Sequence, residues 1–139
     1  MAVHPLSAAK RVCELRDWGV SNLELNKILY LAHMISLGRS EGTLPLVTED
    51  FEAWDYGPVL PSVYRRAKVF GRDPVQNIFR SYNSDTGGRG NAILKEVVDS
   101  LKGKKPGELV AITHWDKGAW AKNYRPGEIG TVIPNEELS

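Results

Sequence analysis

The spacing of apolar and polar residues predicts a chain built mainly of helices. In several segments apolar side chains recur every three to four residues, the interval that places them on one face of a helix. We expect the first helix to begin at Ser7, a good N-terminal cap, and to end before Gly19. The second begins at a capping-box pair, Ser21 and Glu24, and runs to about Leu37.

The same spacing predicts further helices in the rest of the chain. One follows Pro61, another runs from residue 91 to 101, and a third opens at Pro106. Residues 81–90 are rich in glycine and small polar side chains, which favours a mobile surface connector, and they lack the Lys-Ser/Thr pair of a phosphate-binding loop. The predicted fold class is therefore mainly α, one compact domain over residues 1–139 with about five or six helices and short extended segments.

Apolar residues cover nearly the whole surface of the predicted second helix. They form two faces, Leu25, Ile28, Leu29, Ala32 and Ile35 on one side and Leu23, Tyr30, Leu31 and Met34 on the other. A helix that is apolar on nearly all sides is usually central in its domain. Lys27 interrupts this pattern, and we expect its ammonium group either to extend to water or to find a carboxylate or carbonyl partner in a structural role.

The middle of the chain combines two large aromatic side chains, a Gly-Pro break and a helix start. Trp54 and Tyr56 are two positions apart, so an extended backbone points both to the same face. Gly57 precedes a proline, which favours an extended or turn conformation, and Pro61 suits the first position of a helix. We predict a strand or loop, a tight turn and a helix. Strands near Trp54 and Ile133 can pair with each other, and the short extended segments can form a small β-hairpin.

Three motifs occur in order along the chain. The central one is AW-x-YGPV-x-P-x-x-Y, formed by Ala53, Trp54, Tyr56, Gly57, Pro58, Val59, Pro61 and Tyr64. LNKILYLAH precedes it at residues 25–33, and ELVAITHWDKGAW follows it at residues 108–120. This set resembles the SocA-like, or Panacea, domain of bacterial antitoxins and phage-associated GepA-like proteins, and the resemblance extends over residues 22–133.

The resemblance implies a binding role. Members of this family act as proteinaceous antitoxins that bind a toxin encoded next to them and hold it inactive, and one member also delivers its toxin to a Clp-type protease. The expected partners are therefore a cognate protein toxin and, for delivery, a Clp-type protease. An alternative is a proteolytic adaptor or a phage-encoded anti-defence binding protein. Because the toxins differ greatly between members, the shared motifs mainly report the fold.

Residues of the motifs, together with one neighbouring arginine, are the candidates for partner binding or for packing common to the family. They are Lys27, Tyr30, Trp54, Tyr56, Gly57, Pro58, Val59, Tyr64, Arg65, His114 and Trp120. Aromatic residues and arginine are enriched at interface centres, which singles out Trp54, Tyr56, Tyr64 and Arg65. A core position for Trp54 and Tyr64 is an equal alternative, in which variable loop residues meet the toxin.

Composition and charge narrow the possible functions. A chain of 139 residues with 42% hydrophobic residues fits one globular domain. Its 18 basic and 17 acidic side chains give a net charge of +1, so neither membrane nor nucleic acid is an expected partner. A DNA-binding role would rest on Arg65, Arg66 and Lys68 of one predicted helix alone. A single cysteine and the lack of a leader or long apolar run lead us to expect a cytoplasmic protein.

The residue types that carry chemistry are present but scattered. His4, His33 and His114 show no paired ligand spacing, so no metal and no cofactor are expected. Cys13 can be combined with His114 and Asp116 as a nucleophilic trio, yet no signature of a reactive cysteine surrounds it. We therefore expect a protein that is not an enzyme.

Overall fold

A computed structural model describes residues 2–55, 57–102, 122–124 and 131–138, and helices dominate this part of the chain. The helices are α1 (Pro5–Leu15), α2 (Asn22–Arg39), α3 (Pro61–Ala67), which a 3-10 turn (Lys68–Phe70) prolongs, and α4 (Gly87–Ser100). The described ranges thus confirm a mainly α protein but hold four α-helices, fewer than the five or six expected. The helix predicted to open at Pro106 lies outside the described residues.

Three short strands form one antiparallel sheet in the order β2-β1-β3. They are β1 (Glu52–Trp54), β2 (Gly57–Val59) and β3 (Thr131–Val132). Glu52 lies opposite Val59 on one side and Val132 on the other. The predicted hairpin is therefore present between β1 and β2, and the expected pairing with the C-terminal extended segment is also confirmed. A 3-10 turn (Asn135–Leu138) follows β3.

Local signals predicted the start of α2 correctly and that of α1 incorrectly. The Ser21 hydroxyl accepts a hydrogen bond from the Glu24 amide at 3.2 Å, and the Glu24 carboxylate accepts one from the Ser21 amide at 3.1 Å. Helix α1 begins before Ser7, because Pro5 occupies its first turn and the His4 ring accepts a hydrogen bond from the Leu6 amide at 3.1 Å.

Helix α4 also begins earlier than its apolar residues predicted. The loop expected over residues 81–90 ends at Thr86, and the helix takes in three glycines and Arg89 before the predicted start at Asn91. The Asp85 carboxylate accepts a hydrogen bond from the Gly87 amide at 2.9 Å, which satisfies one amide at the helix start. A glycine-rich first turn carries no apolar side chain, so hydrophobic spacing alone could not reveal it.

Helix α2 is the central element, as its nearly continuous apolar surface predicted. It packs against α1, α3, α4, β2 and the C-terminal 3-10 turn. Its fully buried apolar side chains include Leu25, Ile28, Leu29, Ala32 and Leu37. The other helices and the hairpin each contribute apolar side chains to this core, so α2 positions the helices and β2, and β2 in turn pairs with β1.

Asn26 is a buried polar residue of α2 that joins this helix to the hairpin. Its side-chain oxygen accepts a hydrogen bond from the backbone amide of Leu60 at 2.9 Å. Its side-chain amide donates to the backbone oxygen of Asn22 at 3.0 Å and to the Asn22 side chain at 2.8 Å. Leu60 caps α3 without a side-chain hydrogen bond of its own, so Asn26 fixes the junction between β2 and α3 on the surface of α2.

Lys27 is fully buried on the same helix, so its ammonium group does not extend to water, which was one of the two expectations. The other expectation was a carboxylate or carbonyl partner. Within the described residues, the Nζ atom of Lys27 has no hydrogen-bond partner. Burial lowers the pKa of Lys27 from 10.5 to about 7, because the apolar surroundings disfavour the charged form. Burial of Lys27 therefore lowers the free energy of unfolding, and the packing of α2 must offset this loss.

None of the helices in the described ranges is both long and apolar enough to cross a membrane.

We expect Asn26→Ala to lower the free energy of unfolding by about 1–3 kcal/mol, because the Leu60 amide would stay buried without its acceptor. Urea denaturation followed by circular dichroism measures this change. Asn77→Ala is the control, since the exposed Asn77 side chain accepts only a local hydrogen bond from the Phe79 amide. A loss of stability that is no larger for Asn26→Ala than for Asn77→Ala would contradict the role given to Asn26.

Replacing Lys27 by methionine should stabilise the protein, and more so at low pH. Between about pH 7 and 10.5 the unfolded chain binds more protons than the folded one, so wild-type stability rises with pH through this range. At about pH 6 both states are protonated and the full penalty is present. We therefore expect Lys27→Met to gain on the order of a few kcal/mol at about pH 6, with the gain shrinking towards pH 10.

Chemical denaturation of wild type and Lys27→Met over this pH range measures the effect. Lys95→Met is the matched control, because Lys95 is an exposed lysine on α4. A gain that does not change with pH would show that the methionine acts through packing and not through removal of the buried amine.

Candidate functional site

The hairpin and α3 bring two of the candidate aromatic residues into contact. Trp54 ends β1 and Tyr64 lies in α3, and the centroids of their rings are 4.6 Å apart at an interplanar angle of 54°. The indole N–H of Trp54 donates a hydrogen bond to the Glu52 carboxylate at 3.0 Å. Both aromatic side chains are half-buried. The pair therefore combines a fixed position with an accessible surface.

From the sequence alone, Trp54 and Tyr64 could belong either to the core or to an interface. The structure places them between the two, because the two rings pack against each other while both side chains stay partly exposed to solvent. Arg65 follows Tyr64 and is exposed. Trp54, Tyr64 and Arg65 thus lie at one junction of the hairpin and α3, where a partner protein could contact them together.

Three other residues of the central motif are buried and support this junction from inside. Gly57, Pro58 and Val59 form β2, which packs on α2. Gly57 has φ of 119°, a conformation that glycine adopts far more readily than other residues. Pro58 lies in an edge strand, where the missing N–H costs no sheet hydrogen bond. These three residues therefore brace the fold and are not available to a partner.

The remaining candidates are either buried in α2 or outside the described residues. Tyr30 is 2% exposed and its ring meets that of Phe51 edge-on, with centroids 5.3 Å apart. Lys27 is likewise buried, as described above. Tyr56, His114 and Trp120 fall outside the described ranges, so their assignment to partner binding stays a prediction.

His33 connects α2 to the C-terminal turn, a role that its sequence position did not reveal. The Val47 amide donates to its Nδ1 at 3.4 Å, which leaves Nε2 to donate to the Asn135 side-chain oxygen at 3.0 Å. Burial lowers the pKa of His33, and the hydrogen bond that its ring donates to Asn135 and the negative charge of Asp50 oppose this effect. The neutral ring therefore serves as a structural link.

Asn26 and His33 are the positioning residues that sequence reasoning missed. Both are polar residues in a helix rich in apolar side chains, and that contrast was the available signal. Buried polar groups need hydrogen-bond partners, so each points to a contact made by α2 with another element. The identity of those contacts, Leu60 and Asn135, could not be derived from spacing.

The thiol of the single cysteine is not prepared for nucleophilic chemistry. Cys13 is buried in α1, and burial together with the negative charge of Glu14 raises its pKa to about 12. The thiol is therefore protonated at neutral pH, whereas the thiolate is the reactive form. His114 and Asp116, the other members of the trio considered from sequence, lie outside the described residues. Within the described ranges no group of three potential metal ligands is found.

Comparison with known proteins gives a family for this fold. The family described as "Antitoxin SocA-like, Panacea domain" matches residues 25–121. Antitoxin SocA of Caulobacter vibrioides (strain NA1000 / CB15N) is 33% identical over 119 residues, which cover 75% of this chain and 60% of the relative. No solved structure matches the chain significantly.

The match begins within α2 and includes the hairpin, α3 and α4, so it covers the elements that form the candidate site. The chain spans about 60% of the length of the curated relative. The resemblance noted from three short motifs is thereby confirmed, and this protein belongs to the SocA-like antitoxin family that carries the Panacea domain.

Proposed function

We propose that this protein is an antitoxin that neutralises a cognate toxin by direct protein–protein contact in the cytoplasm. The observation that carries the proposal is the family match over residues 25–121, together with a relative that is named an antitoxin. We take the whole chain as one Panacea domain with a binding role and no catalytic one. Because the chain spans only part of its relative's length, the toxin and the mode of neutralisation are proposals for this chain.

The junction of the hairpin and α3 is the surface that we propose for toxin binding. Tryptophan, tyrosine and arginine contribute most often to the binding energy of protein interfaces, and Trp54, Tyr64 and Arg65 meet here. The contact between the tilted rings and the hydrogen bond from Trp54 to Glu52 hold the aromatic pair in place. A surface that is already ordered loses less entropy on binding, which supports a tight complex.

Co-expression with the product of the neighbouring gene tests the proposal. The neighbouring gene is expressed in a heterologous host with and without this protein, and growth and co-purification are measured. Toxicity that is relieved only when a stable complex forms would support neutralisation by contact. A toxic neighbour whose half-life falls when this protein is present would instead support delivery to a Clp-type protease. A harmless neighbour that does not co-purify would contradict this pairing.

Tyr64→Ala and Arg65→Ala should each weaken toxin binding by roughly tenfold or more, because each would remove a large contact from the centre of the proposed interface. Isothermal titration calorimetry measures the affinity. Tyr64→Phe keeps the ring against Trp54 and should retain most of the affinity. Lys95→Ala on α4 controls for the loss of a positive charge. If Tyr64→Ala and Arg65→Ala both fold normally and bind like wild type, the toxin contacts another surface.

A further inference from the structure

A cluster of unpaired positive charges surrounds an exposed apolar residue at the end of α3. We call it the basic face and define it by Arg65, Arg66, Lys68, Val69 and Arg72, all of which are exposed. Val69 is 77% exposed, the largest value among the large hydrophobic side chains in the described ranges. Four cations and one exposed valine thus occupy eight consecutive positions.

The helical spacing makes these residues neighbours on one surface. Side chains three or four positions apart lie side by side on a helix. Val69 follows Arg65 by four positions and Arg66 by three, and Lys68 follows Arg65 by three. The residues that point inward from the same segment, Val63 and Ala67, are fully buried. Arg65, Arg66, Lys68 and Val69 are therefore neighbours on the outer surface of α3 and its 3-10 extension, and Arg72 follows in the turn after Gly71.

Within the described part of the chain, no ion pair joins a cation of this face to a carboxylate, and the exposed Asp73 that follows Arg72 forms none either. The ion pairs found there join Arg11 to Glu14, Arg16 to Glu24 and Arg39 to Glu96. The carboxylate of Glu49 is engaged elsewhere, because it accepts a hydrogen bond at 2.6 Å from the hydroxyl of Ser62 in the first turn of α3. Since the whole chain has a net charge of only +1, the unbalanced charge is a local property of this surface.

One cation of the face is held in position by aromatic contact. The guanidinium carbon of Arg66 lies 5.6 Å from the centroid of the Tyr82 ring, within reach of a cation–π interaction. The Tyr82 ring also packs against His4, with centroids 4.8 Å apart. The Lys10 ammonium donates a hydrogen bond to the Tyr82 backbone oxygen at 2.9 Å, which adds a further positive charge beside it. Arg66 is thus partly ordered before any partner binds.

We infer that the basic face binds an acidic surface of the toxin, with an apolar contact at Val69 surrounded by ion pairs. This inference rests on the proposed function and adds the chemistry of the partner to it. Opposite charges on two partners steer their encounter and fix their orientation. Arg65 belongs both to this face and to the aromatic junction, so the two surfaces form one continuous interface.

Three observations favour an acidic protein over nucleic acid as the partner. An exposed valine among the cations suits an apolar contact, whereas phosphate binding has no use for it. Helix α3 has only 7 residues, which is short for a recognition helix in a DNA groove. The balanced charge of the whole chain also provides little general attraction for a polyanion.

Charge reversal on the basic face tests the inference with the toxin encoded by the neighbouring gene. Lys68→Glu/Arg72→Glu should weaken toxin binding by at least about tenfold, and the wild-type affinity should fall as salt is added. Lys95→Glu/Lys102→Glu is the matched control, which reverses two exposed lysines at α4 and just after it. Equal affinities of the two double variants would overturn the inference.

The apolar centre has its own matched pair of variants. Val69→Ser should weaken toxin binding by roughly tenfold, whereas Val132→Ser, at an exposed valine of β3, should not. Wild-type affinity for Val69→Ser would overturn the apolar contact. If the basic-face variants bind normally while Tyr64→Ala abolishes binding, the proposed function stands and the inference about acidic chemistry fails.

A second probe keeps the inference testable if the neighbouring product does not bind at all, which would be a failure of the proposed function. A synthetic peptide of glutamate and leucine and a DNA duplex of equal charge are titrated separately into the labelled wild-type protein. The peptide should shift the backbone NMR signals of residues 65–72, and Lys68→Glu/Arg72→Glu should abolish these shifts. Peptide-induced shifts elsewhere, or tighter binding of the duplex, would overturn the choice of an acidic protein partner.

Discussion

The burial of α2 over most of its surface is the constraint on which the other described elements depend. A helix that is apolar around nearly its whole circumference is stable only when other elements cover it. Helices α1, α3 and α4, strand β2 and the C-terminal turn supply that cover. Since most of them meet the same helix, their relative positions are fixed through α2. The candidate site is therefore held by an interior element that contributes no exposed residue to it.

The buried polar residues of α2 need hydrogen-bond partners, because water does not reach them. Asn26 accepts a hydrogen bond from the Leu60 amide, and His33 accepts one from the Val47 amide and donates one to the Asn135 side chain. Each of these bonds joins α2 to a segment outside it. Lys27 has no hydrogen-bond partner within the described residues, and its pKa falls to about 7 as a result of burial. The same helix thus holds both the links that specify the fold and a group that opposes its stability.

The interior links also explain how a small hairpin can present a defined surface. Asn26 fixes the backbone at Leu60, where β2 passes into α3, and the buried β2 residues hold the hairpin against α2. The outer side of this junction then carries Trp54, Tyr64 and the start of the basic face in fixed relative positions. In this chain some motif residues brace the fold and others are partly exposed, with Gly57 as an example of the first role and Tyr64 of the second.

The sequence by itself determined the features that depend on neighbours within a turn or two. The capping box at Ser21 and Glu24, the apolar surface of α2 and the helix start at Pro61 all act locally, so their effects were predictable. The start of α1 was not, because a histidine ring took the capping role. Only the tertiary structure decided that Asn26 would bind the amide of Leu60 and that the Trp54 ring would contact the Tyr64 ring. It also decided that Lys27 would have no hydrogen-bond partner within the described residues. These outcomes depend on how separate elements pack in space, and no local spacing rule specifies that packing.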